Sequence, residues 1–410
     1  MWNAFSSVSP LLGGVFLILL GTGGLSTFTT LRLTDGNLPS FIIGMVSTMY
    51  MLGLFLGALF TQRLIGKVGH VRAFATFGSI MSAATLAHAF LFDPWFWGFL
   101  RFVVGVCAVG MYMCTESWLN EKTDNSIRGE VFSLYQMTVY LAFGIGQFLI
   151  NLPDNSGFLI LSVMSILMSL AIVPVLSAQV KAPEITKPEP LNFVELWRTS
   201  PSGMSVCFVS GTIVGSIMAL GPMYAHLMDL NTREVSTFMS ALIFGALLFQ
   251  WPIGKLSDSF DRRKIMLVVT IAATLVSVIL GLGGQFKSIF LYILIALFGG
   301  CSYTLYPLAV AYTNDYLPPN LLVSGAAGLL MANGLGTSMG PIASSMFVEV
   351  VGPNGLFLFC AIIALATSVI IVLRMRERAA LDVEQQAVFE VAPRTTHVVY
   401  ELRAGYDQDK

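Results

Sequence analysis

Residues Arg101 to Arg128 read RFVVGVCAVGMYMCTESWLNEKTDNSIR, and part of this stretch occurs twice in the chain. Adding 194 to the numbering carries Gly105, Cys107, Tyr112 and Asn120 onto Gly299, Cys301, Tyr306 and Asn314, and Trp118 and Glu121 onto the similar Tyr312 and Asp315. Both copies close an apolar run. Four identities in seventeen positions would be thin alone, but the copies occupy matching places in two halves of similar hydropathy, the mark of an internally duplicated membrane protein. One charge breaks the symmetry: Arg101 lies inside the first apolar run, where the second has Ile295.

Composition agrees. Hydrophobic residues make up 55% of the chain and charged residues 11%, against roughly 45–50% and 25% in soluble globular proteins. So little charge excludes a water-soluble domain. The 22 Lys and Arg nearly balance the 23 Asp and Glu, so no basic excess points to nucleic acid. Cys107, Cys114, Cys207, Cys301 and Cys360 all fall in apolar runs without metal-ligand spacing. They read as small buried hydrophobes, and no metal or cofactor is expected. Residues 1–10 lack the positive segment and cleavage site of a secretory signal, so the first span is expected to be retained.

A bilayer core about 30 Å thick takes about 20 helical residues to cross, and the chain supplies that length twelve times. Spans are expected near 11–31, 40–62, 71–91, 94–116, 130–150 and 157–177, then near 203–223, 235–255, 264–284, 289–312, 322–345 and 353–374. The expected fold is an all-α membrane protein, twelve transmembrane helices in two pseudo-symmetric six-helix bundles. Residues 1–177 form the first bundle and 202–374 the second; 178–201, polar and proline-bearing, is a cytoplasmic linker and 375–410 a cytoplasmic tail. With both termini cytoplasmic, fifteen Lys and Arg fall on the inner side and three, Arg32, Arg233 and Lys287, on the outer. That asymmetry sets the orientation as N-in, C-in.

Several motifs here resemble those of the major facilitator superfamily, and the resemblance runs to about Arg378. The family's loop signature between spans two and three, Gly-x-Leu-x-Asp-Arg-x-Gly-Arg-Arg, recurs more loosely between eight and nine. The second copy here, Gly254 to Lys264, keeps the glycine, Asp258 and a basic end with Arg262 and Arg263; the first, Gln62 to Arg72, is worn, with Lys67 and Arg72 remaining. Glu121 and Arg128, followed by Gly129, match the family's Glu-x6-Arg-Gly pattern, and Asp315 retains the acid in the second half. The resemblance implies a cytoplasmic gate built from Lys67, Arg72, Glu121, Arg128, Asp258, Arg262, Arg263 and Asp315, in which a carboxylate accepts from a facing helix N-terminus. The alternative is that these charges only anchor loops in the headgroup region.

Arg101 with Gly105 is similar to the family's fourth-span Arg-x-x-x-Gly. Seven residues past Pro94, it lies roughly 10 Å deep by the 1.5 Å helical rise. A charge there costs about 2.5–3.5 kcal/mol on the insertion scale unless it meets a cavity or a partner. Either it faces a central cavity, binding an anionic group or tuning a coupling acid, or it snorkels outward. Glu116 could titrate as a coupling group or ion-pair with a loop base. Gln136, Tyr140, Tyr303, Tyr306 and Asn333 are further polar groups near the midplane with room to meet a solute, although an interhelical bond would equally satisfy Asn333.

The Glu116-to-Asn120 segment and Pro393-Arg394-Thr395-Thr396 are similar to the YcaD-type bacterial transporters, which implies a bacterial inner-membrane location. The expectation is a monomeric secondary active transporter for a small solute, working by alternating access, with a proton as the candidate coupling ion. The rival is a membrane-embedded sensor that kept the fold and lost transport. The sequence carries no nucleophile, base or metal set of an enzyme.

Overall fold

The computed structural model describes residues 2–121, 128–154, 156–177, 193–282, 289–318, 321–377, 386 and 389. Among them every regular element is helical. The first half holds α1 (Trp2–Asp35), α2 (Ser40–Val68), α3 (His70–Ala87), α4 (Pro94–Glu121), α5 (Arg128–Gly146), α6 (Phe158–Leu170) and α7 (Ile172–Ser177). After α8 (Phe193–Thr199), the second half holds α9 (Pro201–Leu227), α10 (Thr232–Ser259), α11 (Arg262–Leu282), α12 (Ile289–Asn314), α13 (Leu322–Val351) and α14 (Gly355–Glu377). Ten helical segments are long and apolar enough to span a bilayer, counting α5 with its 3-10 extension and α6 with α7. With α3, 18 residues, and α13, 30 residues, the membrane-length helices number twelve, as the hydropathy predicted.

Edges moved for local reasons. The third span ends at Ala87, short of 91, because the chain must turn before Asp93, whose carboxylate caps α4 by accepting the Phe96 N–H at 2.8 Å. The sixth breaks at Ala171: the Pro174 ring clashes with the Leu170 carbonyl. In the linker region, α8 forms because Leu196 is buried against the second bundle's core.

The duplication is visible in the packing. In the first half α2 lies on α4, α1 on α5 and α6, and α3 on α4 and α6; in the second, α10 lies on α12, α9 on α13 and α14, and α11 on α12 and α14. The closest approaches repeat too. A Cβ at Gly105 would collide with the Tyr50 carbonyl, and one at Gly53 with that of Phe102; Gly299 and Gly245 stand in the same relation to Leu242 and Ala296. The glycine-rich run in α13 serves such an approach: Gly336 and Gly340 lie against the Phe208 and Thr212 carbonyls of α9.

The halves meet through α2 with α13, α5 with α10, and α1 with α9. Their polar contacts concentrate at the face opposite the end of α14. There Asp35 pairs with His226 at 3.2 Å, Thr30 donates to the Ala219 carbonyl at 3.0 Å, Asn151 to Ser236 at 2.8 Å, and the Phe41 N–H to Glu349 at 3.3 Å. Deeper in, Ser240 donates to the Gly144 carbonyl at 2.8 Å and Thr48 to that of Ser338 at 3.3 Å. The far face is thus sealed by a seam reaching toward the midplane.

Candidate functional site

Arg101 is buried, 2% exposed, and turned into the first bundle, not out to lipid. Its Nη2 donates to Ser26 Oγ on α1 at 3.1 Å, and the guanidinium carbon lies 4.6 Å from the centre of the Tyr50 ring on α2. The Tyr50 hydroxyl is hydrogen-bonded to that of Tyr112 on α4. Among the described residues Arg101 Nε has no hydrogen-bond partner, and no carboxylate pairs with this cation.

Beside it, Thr27 donates to Gln147 Oε1 at 2.6 Å and Gln147 Nε2 to the Gly23 carbonyl at 2.7 Å. Gln147, fully buried, ties α1 to the end of α5. In the second half Asn333 on α13 donates to the Cys207 carbonyl of α9 at 2.9 Å, an interhelical bond. Tyr140 meets Tyr303 edge-to-face across the halves, ring centres 6.1 Å apart. Gln136 is half-buried and Tyr306 lies 1% exposed in the second bundle's core. Farther down α4, Glu116 is fully buried and accepts the Tyr135 hydroxyl at 2.9 Å.

Ser26, Tyr50 and Gln147 were not singled out from sequence, and Tyr112 only as a member of the repeat. Depth could have found two of them: counted from their helix ends at the far face, Ser26 and Tyr50 lie about 14–15 Å in, close to the level of Arg101. Rotation about each helix axis, which sequence leaves open, decided the rest.

At the other face, Arg262 is 1% exposed and bonds both oxygens of Asp315 at 2.7 and 2.8 Å, the Ala311 carbonyl at 3.1 Å and Asp258 at 3.0 Å. Arg263 pairs with Asp261 at 2.9 Å. Burial would raise the Asp261 carboxyl, but hydrogen bonds from Arg263, with the charges of Arg263 and Lys264, hold it below its ordinary value. Asp258, Arg262 and Asp315 therefore form one knot, buried at Arg262 and Asp315, whose described bonds reach the second bundle and the tail but not the first bundle. Lys67 and Arg72 are exposed and, among the described residues, form no ion pair. Glu121 ends α4 and Arg128 opens α5, but their side chains lie outside the described residues.

The Major Facilitator Superfamily profile matches residues 11–245 and 204–400. An uncharacterized MFS-type transporter, YcaD, of Escherichia fergusonii is 28% identical over 356 residues, covering 86% of this chain and 92% of that protein. A similar transporter from Yersinia pestis is 28% identical over 360 residues, covering 86% and 92%. Among solved structures, the nucleoside transporter NupG superposes with a TM-score of 0.74 at 16% identity, covering 90% of this chain and 99% of that one. A bacterial homolog of the human lysosomal transporter Spinster, inward-facing and occupied, gives 0.73 at 11% identity, covering 93% and 97%. These likenesses extend over both bundles, and at such identity they speak to the fold.

Proposed function

The chain belongs to the Major Facilitator Superfamily, and from that premise we propose that it is a secondary active transporter moving a small organic anion by alternating access across a bacterial inner membrane. One observation carries the reading. Arg101 is a buried cation whose described partners are a hydroxyl and an aromatic ring, with Nε unsatisfied. A ring face is worth about 2 kcal/mol to a desolvated cation and a hydrogen bond to a charged group about 1.5–3 kcal/mol. Together these roughly offset the insertion cost of about 2.5–3.5 kcal/mol, so the site tolerates being empty while keeping a charge that an anion would complete. Tyr140 and Tyr303, meeting where the halves touch, supply an aromatic wall.

The far-face seam fits a protein closed to the outside and facing inward, with the end of α14 and the basic loops cytoplasmic by the positive-inside rule. In this scheme Asp258, Arg262 and Asp315, with Arg263, belong to the cytoplasmic gate. Glu116 is the candidate proton carrier, since it is a buried carboxylate within a span. The relatives and solved structures named above are transporters, and the sensor alternative finds no support among them.

The test is a thermal-shift screen of purified protein against organic anions, sugars and amphiphilic cations, because a ligand that binds the folded state raises its melting temperature. Hits are then followed by uptake into proteoliposomes with and without a pH gradient. Anions should stabilise the wild type and leave Arg101→Ala unmoved. Stabilisation by sugars or cations alone would contradict the proposal.

A further inference from the structure

Phe389 lies well past the end of α14 at Glu377, yet it is seated on α10. Its backbone N–H donates to Asp258 Oδ1 at 2.7 Å, and its ring packs so closely on Gly254 that a Cβ there would collide with it. Gly254 and Asp258 are one turn apart, on the same face of α10. The end of this helix therefore offers an apolar seat, made by a missing side chain, with a carboxylate one turn on. An extended segment with an aromatic side chain and a free N–H needs both. Asp258 is also the accessible acid of its knot: its side chain is 32% exposed, against 2% for Asp315.

We propose that this seat is a docking site for the chain's own C-terminal segment, and that the segment competes with the first bundle for Asp258. The competition rests on reading Asp258 as a gate acid. Closing the cytoplasmic side would require N–H groups of a facing helix to reach that carboxylate, and the Phe389 N–H already occupies one of its oxygens. A docked tail therefore holds the inward-facing state, and closing the gate expels it.

The test uses full-length protein with Phe389→Ala, Gly254→Leu, both together, and Asp258→Asn. The first readout is the rate of tryptic cleavage in the tail at Arg394. Phe389→Ala and Gly254→Leu should each raise it about 3–10-fold, the size of one lost aromatic contact. The double variant should go no further than the larger single one, and Phe389→Leu should retain protection. Unchanged cleavage in Phe389→Ala overturns the docking.

The second readout is the distance distribution between spin labels at Arg63 and Ser259, across the cytoplasmic face. Phe389→Ala should increase the short-distance population, while Asp258→Asn should reduce it. If Asp258→Asn shifts the distribution and Phe389→Ala does not, the competition is wrong and the gate reading survives. If neither shifts it, the gate reading falls, and the competition with it.

Discussion

The guanidinium of Arg101 lies 4.6 Å from the centre of the Tyr50 ring, while its Nη2 donates to Ser26 at 3.1 Å. A ring contact and a hydrogen bond made by one head group suit a planar fork, which an ammonium lacks. Arg101→Ala should lower anion uptake at least about tenfold, the equivalent of one lost charge-assisted contact of about 1.4 kcal/mol, and Arg101→Lys should recover only part of it. Tyr50→Leu should lower the melting temperature as well as uptake. Proteoliposome flux and thermal unfolding check both, and full flux in Arg101→Ala would remove the site.

The paired glycines make a prediction that needs no substrate. Gly105→Ala and Gly299→Ala should each destabilise the protein by about 1–3 kcal/mol through overpacking, because the added methyl meets a rigid carbonyl in both halves. Gly129→Ala, where nothing lies within 4 Å, should be neutral or stabilising by up to about 1 kcal/mol, as for glycine within a helix. Melting temperatures in detergent would show the contrast. Equal effects at Gly105 and Gly129 would contradict the packing.

Arg262 and Asp315 are 1% and 2% exposed, so removing either breaks a pair that water does not reach, although Arg262 keeps Asp258 when Asp315 is lost. Asp315→Asn should cost about 3–5 kcal/mol, and Arg262→Met combined with Asp315→Leu should cost less than either single change. The ordering of three melting temperatures decides it, a double variant worse than both singles being the contrary result.

The architecture was legible because span length, apolar content and the placement of Lys and Arg are local properties of a chain. Arg101 stood out for the same reason, a charge where charge is expensive. Its partners were harder to see: Ser26 and Tyr50 share its depth, but helical periodicity does not reveal how each helix is rotated about its axis. Asn333 shows the ambiguity from the other side, since its interhelical bond to Cys207 was one of two readings open from sequence. The seat of Phe389 left no trace in any periodic pattern, because it joins positions 131 apart through a backbone N–H and an absent side chain.

Asp154, in the loop before α6, carries a pH prediction. Desolvation would raise its carboxyl, but hydrogen bonds from the Ser156 hydroxyl and the N–H groups of Ile160, Ser156 and Leu159 hold it down at about 2. A depressed acid stabilises its partners fully above the unfolded value of about 3.9, and that contribution is lost as pH falls through the folded value. Amide exchange at Leu159 and Ile160 should therefore be protected at neutral pH, and Asp154→Ala should accelerate it there. The same substitution should make progressively less difference as pH falls from about 4 toward 2, the window between the two values. A difference independent of pH across that window would contradict the assignment.

The central claim is that two halves, joined at the far face in this structure, rock about a buried site. Spin-label distances in one bilayer test it most directly, with one label pair at Ser40 and Arg233 across the far face and another at Arg63 and Ser259 across the other. The account predicts two populations at each face that exchange in opposition: conditions that separate the first pair bring the second together. A single unchanging distance at both faces, with ligand and across pH, would contradict it.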